Sequence, residues 1–89
     1  MKYLVTNLHE KRDGNWIRFW EQATGRKAGL CHRVDCFGED ATDGAHVKLA
    51  GGPNKWYIVP LCHKCNCQFG ATFEVWGPLV PVNGGEILW

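Results

Sequence analysis

The sequence predicts a single small domain of the α+β class, spanning residues 1–89. One stretch has the apolar spacing of an amphipathic helix, five short stretches have the composition of strands, and four cysteines form two closely spaced pairs. A chain of 89 residues buries only a modest core, and such cores usually need disulfides or a metal ion for stability. We therefore expect a domain that a bound metal helps to hold together.

The helix is predicted over residues 16–24. Its apolar residues follow the i, i+3, i+4 and i+7 spacing and form one stripe: Trp16, Phe19, Trp20 and Ala23. Asn15 is a suitable N-cap, and Gly25 is a suitable residue to end the helix. We expect this stripe to pack on the core, the alternative being a platform on which nucleic-acid bases stack.

A β-hairpin is predicted in the middle of the chain. Residues 45–49 and 56–60 are rich in apolar and β-branched side chains, and the AGGPN sequence between them has the composition of a tight turn. The other predicted elements are short: strands over residues 2–6 and 72–76, an edge segment over 79–82, and a helix over 63–69 that ends at Gly70. Residues 25–44 are expected to be irregular.

Composition and charge restrict the class of protein. The chain is 45% hydrophobic and 21% charged with a net charge of +1, which is typical of a soluble protein and not of a disordered one. Residues 1–33 carry a net charge of +4 and residues 34–89 carry −3. Nucleic acid is therefore a possible partner through the basic N-terminal third, although the chain lacks the strong positive charge of a typical nucleic-acid binder.

The N-terminal sequence indicates the compartment. MKYLVTNLHEKRD contains no apolar run long enough for a signal peptide, and no segment of the chain reaches the length of a membrane span. We therefore expect a cytoplasmic protein without a membrane partner. Disulfides rarely persist in that reducing compartment, so closely spaced cysteines there indicate metal ligands more often than a disulfide framework.

The two cysteine pairs predict a structural zinc site. Cys31 and Cys36 are separated by four residues, Cys62 and Cys65 by two, and the predicted hairpin lies between the pairs. Each pair can present two sulfur atoms, and together they would complete a tetrahedron around Zn²⁺. Four protein ligands leave no position for a bound water, so such a zinc is structural. Redox chemistry at the CxxC pair is the alternative.

Three further residues compete as ligands. His32 and His63 each follow a cysteine directly, and adjacent side chains in extended or turn geometry point apart. We therefore expect both histidines to be solvated or to lie just outside the metal ligands. Cys67 lies two residues beyond Cys65, a spacing that does not share a helix face, so it is interpreted as a small buried residue or a spare thiol.

Residues 28–70 resemble the HNH endonuclease family, a branch of the treble-clef zinc folds. The resemblance lies in the pair Cys31 and Cys36, followed by GAHV and then by YIVPLCHKCN. It implies a zinc-stabilised treble clef of the ββα-metal type, to which this chain adds an N-terminal helix and C-terminal strands. In that family a histidine at a strand end is the general base, and a His or Asn after the second cysteine pair binds a magnesium-type ion.

The resemblance implies specific catalytic residues. His46 takes the position of the general base, and Asn66 takes the position of the ligand for Mg²⁺ or Mn²⁺. In the family an acidic residue usually precedes the histidine, but Ala45 occupies that position here. A carboxylate would therefore be present near His46 only if the GAH turn placed Asp43 there. Two hypotheses follow. The first is a non-catalytic zinc-binding interaction module, which the closed four-cysteine coordination, the near-neutral net charge and the missing carboxylate favour. The second is a divalent-metal-dependent nuclease, which His46, Asn66 and the basic first third of the chain favour.

Overall fold

The computed structural model describes residues 1–8 and 14–89. Five strands and two helices follow one another along the chain: β1 (Lys2–Asn7), α1 (Trp16–Thr24), β2 (Asp43–Leu49), β3 (Tyr57–Leu61), α2 (His63–Asn66), β4 (Thr72–Trp76) and β5 (Val80–Pro81). The α+β class is therefore confirmed. None of the helices in the described ranges has the length and apolar character needed to cross a membrane.

The strands form one sheet in the order β4-β1-β2-β3-β5, with every neighbouring pair antiparallel. The predicted hairpin is present as β2 and β3, and His46 lies opposite Ile58 in its register. The residues after Cys31 form hydrogen bonds with both β3 and β4. The His32 N–H donates to the Pro60 carbonyl at 2.9 Å, and the Val34 N–H donates to the Glu74 carbonyl at 3.0 Å.

The two faces of the sheet are covered differently. One face carries the larger buried cluster, which includes Val5, Val47, Val59 and Val75 together with buried cysteines. Helix α1 packs on the other face against β2 and β3, where Trp20 is 1% exposed and joins Ile58 and Val80 in a second cluster. The four-cysteine region and α1 thus lie on different faces of the sheet.

Helix α1 has the predicted bounds and the predicted caps. The Asn15 side chain accepts the Arg18 N–H at 3.1 Å, and Gly25 ends the helix with φ at 71°, donating its N–H to the Glu21 carbonyl. The helix lies so close to β2 that a Cβ added at Gly44 would come within 2.5 Å of the Trp16 backbone. Glycine is therefore required at position 44, where β2 lies against the start of α1.

Two details of the predicted helices are corrected by the structure. Ala23 of the predicted stripe is exposed. Ile17 packs against the core cluster in its place, because it lies three residues before the deeply buried Trp20 and therefore on the same side of the helix. Helix α2 ends at Asn66 instead of residue 69. It ends early because the Gln68 N–H bonds the carbonyl three residues before it, at 3.2 Å, which tightens the turn and stops the α-helical pattern.

Candidate metal centre and adjoining cavity

The structure brings the two cysteine pairs together. The sulfur atoms of Cys31, Cys36, Cys62 and Cys65 all lie within 4.8 Å of one another. The Cys36 and Cys62 sulfur atoms are 3.9 Å apart. Four sulfurs placed about 2.3 Å from a central zinc would be about 3.8 Å apart at tetrahedral angles, so the observed cluster has the right size for that ion.

Local backbone structure explains how each cysteine reaches the cluster. Cys62 is the N-cap of α2 and has extended backbone angles, with φ at −70° and ψ at 158°, and Cys65 lies one turn later. In the first cysteine pair, the Cys36 N–H donates to the Arg33 carbonyl at 3.1 Å, which closes a turn. The Cys31 N–H donates to the Glu39 carbonyl at 2.8 Å and fixes the start of this loop.

The electrostatics of the cluster favour a bound cation. Burial and a hydrogen bond with Cys31 raise the pKa of Cys36 to about 11, and burial together with neighbouring thiols also raises the pKa of Cys65. Burial alone would raise the pKa of Cys62 as well, but the Cys65 backbone N–H and the adjacent thiols lower it. The thiols of Cys36 and Cys65 therefore ionise less readily than free thiols, and a bound cation would favour their thiolate forms; soft sulfur donors in this number suit Zn²⁺.

The structure also shows where the competing residues lie. Both ring nitrogens of His32 contact backbone carbonyls, Nδ1 with Trp76 at 3.0 Å and Nε2 with Ala28 at 3.2 Å, so this ring is held by the fold instead of being solvated. His63 is largely exposed, as predicted. Cys67 is exposed and outside the four-sulfur cluster, so the spare-thiol interpretation holds and the buried one is wrong.

A cavity of about 440 Å³ lies beside the metal centre. His46 and Asn66, the two residues singled out by the family resemblance, line it together with Asp43. His46 is only 5% exposed, and its ring centroid lies 4.9 Å from that of Trp16 and 6.1 Å from that of Trp56, in edge-on geometry. The histidine is therefore fixed between two indole rings at the wall of the cavity.

Asp43 connects the cavity to helix α2. Its Oδ2 accepts the Asn66 side-chain amide at 3.0 Å and contacts His63 Nδ1 at 2.8 Å, and its Oδ1 accepts the Thr42 hydroxyl at 2.9 Å. Partial burial acts to raise the pKa of Asp43, but the hydrogen bonds from Asn66, His63 and Thr42 lower it overall. The carboxylate is thus ionised and held by three side chains.

The sequence predicts that Asp43 approaches His46 only on the condition that the turn before β2 places it there. Strand β2 begins at Asp43, two residues earlier than predicted. The Asp43 side chain therefore lies at the start of this strand, beside α2. Sequence reasoning also missed the contact between His63 and Cys67, although their spacing of four residues on a short helix was visible.

Comparison with known protein families, with curated proteins and with solved structures gives no match for this chain. A function can therefore be proposed only from the four-cysteine cluster and the cavity near it.

Proposed function

We propose that this protein is a zinc-stabilised module of the HNH-like treble-clef type, which acts by binding another macromolecule and not by catalysis. One observation carries the zinc part of the proposal: four cysteine sulfurs lie within 4.8 Å of one another, which is enough ligands to complete a tetrahedron around one ion. A metal enclosed in this way has no open position for water or substrate. Its contribution is to hold the loop of residues 31–36 against the turn between β3 and α2.

The surroundings of His46 support a non-catalytic role. A general base must reach the proton that it removes, within about 3 Å or through one water molecule. The His46 ring is 5% exposed and confined by two tryptophans. Both oxygens of Asp43 already accept hydrogen bonds from protein side chains, so a divalent ion would have to displace those donors.

The second candidate is a divalent-metal-dependent nuclease of the HNH type. The observation that favours it is the cavity, because Asp43, His46 and Asn66 line it together. Mg²⁺ prefers oxygen ligands, which the Asp43 carboxylate and the Asn66 amide would provide. When bound, such an ion would polarise a phosphate oxygen, while His46 would take a proton from water.

Plasmid nicking in the presence of Mg²⁺ or Mn²⁺ distinguishes the two candidates. The parent protein is compared with His46→Ala and with Lys64→Ala, a variant of an exposed residue outside the cavity lining. The interaction-module proposal expects equal, negligible nicking by all three proteins. Nicking by the parent and by Lys64→Ala that His46→Ala abolishes, with the fold intact, would establish the nuclease instead.

Elemental analysis tests the zinc part of the proposal separately. Purified protein should carry at least one zinc per chain, and a strong chelator should unfold it because the metal is part of the fold. Protein without stoichiometric metal that keeps its circular dichroism and its NMR spectrum would contradict the structural role. This outcome does not depend on the nicking assay.

A further inference from the structure

We propose that His63 and Cys67 form a second metal site, distinct from the four-cysteine centre, that binds one thiophilic ion such as Zn²⁺. The Cys67 sulfur lies 3.3 Å from His63 Nε2. Neither residue belongs to the four-cysteine cluster. The site does not depend on whether His46 is catalytic, since its two ligands are neither that ring nor residues that line the cavity.

The separation of the two donor atoms suits one shared tetrahedral ion. Zinc lies about 2.3 Å from a cysteine sulfur and about 2.0–2.1 Å from a histidine nitrogen, so the two donors should be about 3.5 Å apart. Residues four apart lie on the same side of a helical turn. Here the Cys67 N–H donates to the His63 carbonyl at 2.9 Å, and this bond fixes the turn that sets the donor separation.

Asp43 orients the imidazole for this role. Its Oδ2 lies 2.8 Å from His63 Nδ1. A carboxylate can only accept, so Nδ1 carries the proton and the lone pair of Nε2 faces the sulfur. Metal-binding histidines commonly have a carboxylate on the second ring nitrogen, which fixes the ring and makes it a better ligand. Asn66 holds the carboxylate in turn, at 3.0 Å.

The exposure of the pair makes its chemistry different from that of the four-cysteine centre. The His63 side chain is 77% exposed and Cys67 is exposed as well. An ion held by these two donors keeps two positions for water or for a donor group of another molecule. Sulfur and imidazole donors select zinc and similar soft ions over Mg²⁺ or Ca²⁺. Coordination by Cys67 releases its thiol proton to solvent.

A zinc titration of the full chain against a coloured chelator tests the site. The parent protein should bind two equivalents, and Cys67→Ser and His63→Gln should each lose the second equivalent while keeping the first. Lys64→Ala, which alters a neighbouring exposed residue of the same helix, should bind both as the parent does. Asp43→Asn should weaken the second equivalent about 10- to 100-fold, the usual effect of losing an orienting carboxylate.

Thiol alkylation gives an independent measurement. With the four-cysteine centre loaded, a second equivalent of zinc should slow alkylation of Cys67 at least about tenfold in the parent and not in His63→Gln, since binding of the metal occupies the sulfur. Several results would overturn the proposal: a single equivalent in the parent, a second equivalent that survives Cys67→Ser or His63→Gln, or loss of the first equivalent in Cys67→Ser. The last result would place Cys67 in the four-cysteine centre.

Discussion

Replacing Cys62 with serine should remove most of the stability of this domain. Cys62 is 5% exposed, belongs to the larger core cluster and is the N-cap of α2. Its sulfur lies 3.9 Å from that of Cys36, so the substitution removes one of the four sulfur ligands. The serine hydroxyl is a poor zinc ligand, although at this N-cap position it can accept the Cys65 N–H that now bonds the Cys62 sulfur.

The size of the effect can be estimated from these contacts. Structural zinc is worth about 10–16 kcal/mol in small zinc-finger peptides, or about 2.5–4 kcal/mol for each of four ligands. The loss of one ligand costs at least about 2.5–4 kcal/mol and approaches the full value of about 10–16 kcal/mol if the three remaining sulfurs release the ion, whereas the total stability usual for a domain of this length is about 4–13 kcal/mol. We therefore expect Cys62→Ser to be largely unfolded.

The assay combines zinc content, far-UV circular dichroism and an amide NMR spectrum. Cys67→Ser is the matched control, because Cys67 is exposed and lies outside the four-sulfur cluster. The control should keep the native spectrum and the first zinc equivalent, whereas Cys62→Ser should lose both. A native spectrum for Cys62→Ser in protein without zinc would refute the reasoning, because the fold would then not need the metal.

Three other predictions concern packing, helix capping and metal binding. Gly44→Ala should destabilise the protein by about 1–3 kcal/mol or more in urea denaturation, because its new Cβ would press on the Trp16 backbone at 2.5 Å, whereas Leu4→Ala, at an exposed position, should cost much less. Asn15→Ala should cost about 1 kcal/mol by the same measurement, because it removes the N-cap of α1, and an unchanged denaturation midpoint would contradict this. Zinc affinity should fall as the pH falls, about tenfold per pH unit for each proton displaced, because thiols such as Cys36, with its pKa raised to about 11, are protonated at neutral pH. Competition with a chelator at two pH values measures this dependence, and an affinity that does not change would mean that the thiolates exist before the metal binds.

Much of the secondary structure follows from local sequence. Helix α1 has an N-cap at Asn15 and a left-handed glycine at Gly25, and both signals act within a few residues. The hairpin is similarly local, because the AGGPN turn brings β2 and β3 together. The clustering of the four cysteines could be predicted because two short spacings need only one closure of the chain between them.

The remaining features depend on contacts between distant parts of the chain. Pairing of β1 with β4 places Lys2 opposite Trp76, and nothing in either segment specifies that partner. The contact of His32 with the Trp76 carbonyl results from the same long-range arrangement, so the ring could not be distinguished from a solvated one. Asp43 reaches α2 only because β2 begins two residues earlier than its apolar pattern indicates.

The position of β1 in the sheet has a consequence for synthesis of the chain. Both of its neighbours are made later, since Asn7 pairs with Val47 and Lys2 with Trp76. Until β4 leaves the ribosome, β1 has an open edge that can pair with other chains. The hairpin and the cysteines at 31–65 emerge earlier and can already assemble around zinc. We therefore expect zinc binding to bring β2 beside β1 during synthesis, so that only the edge of β1 that later pairs with β4 stays open.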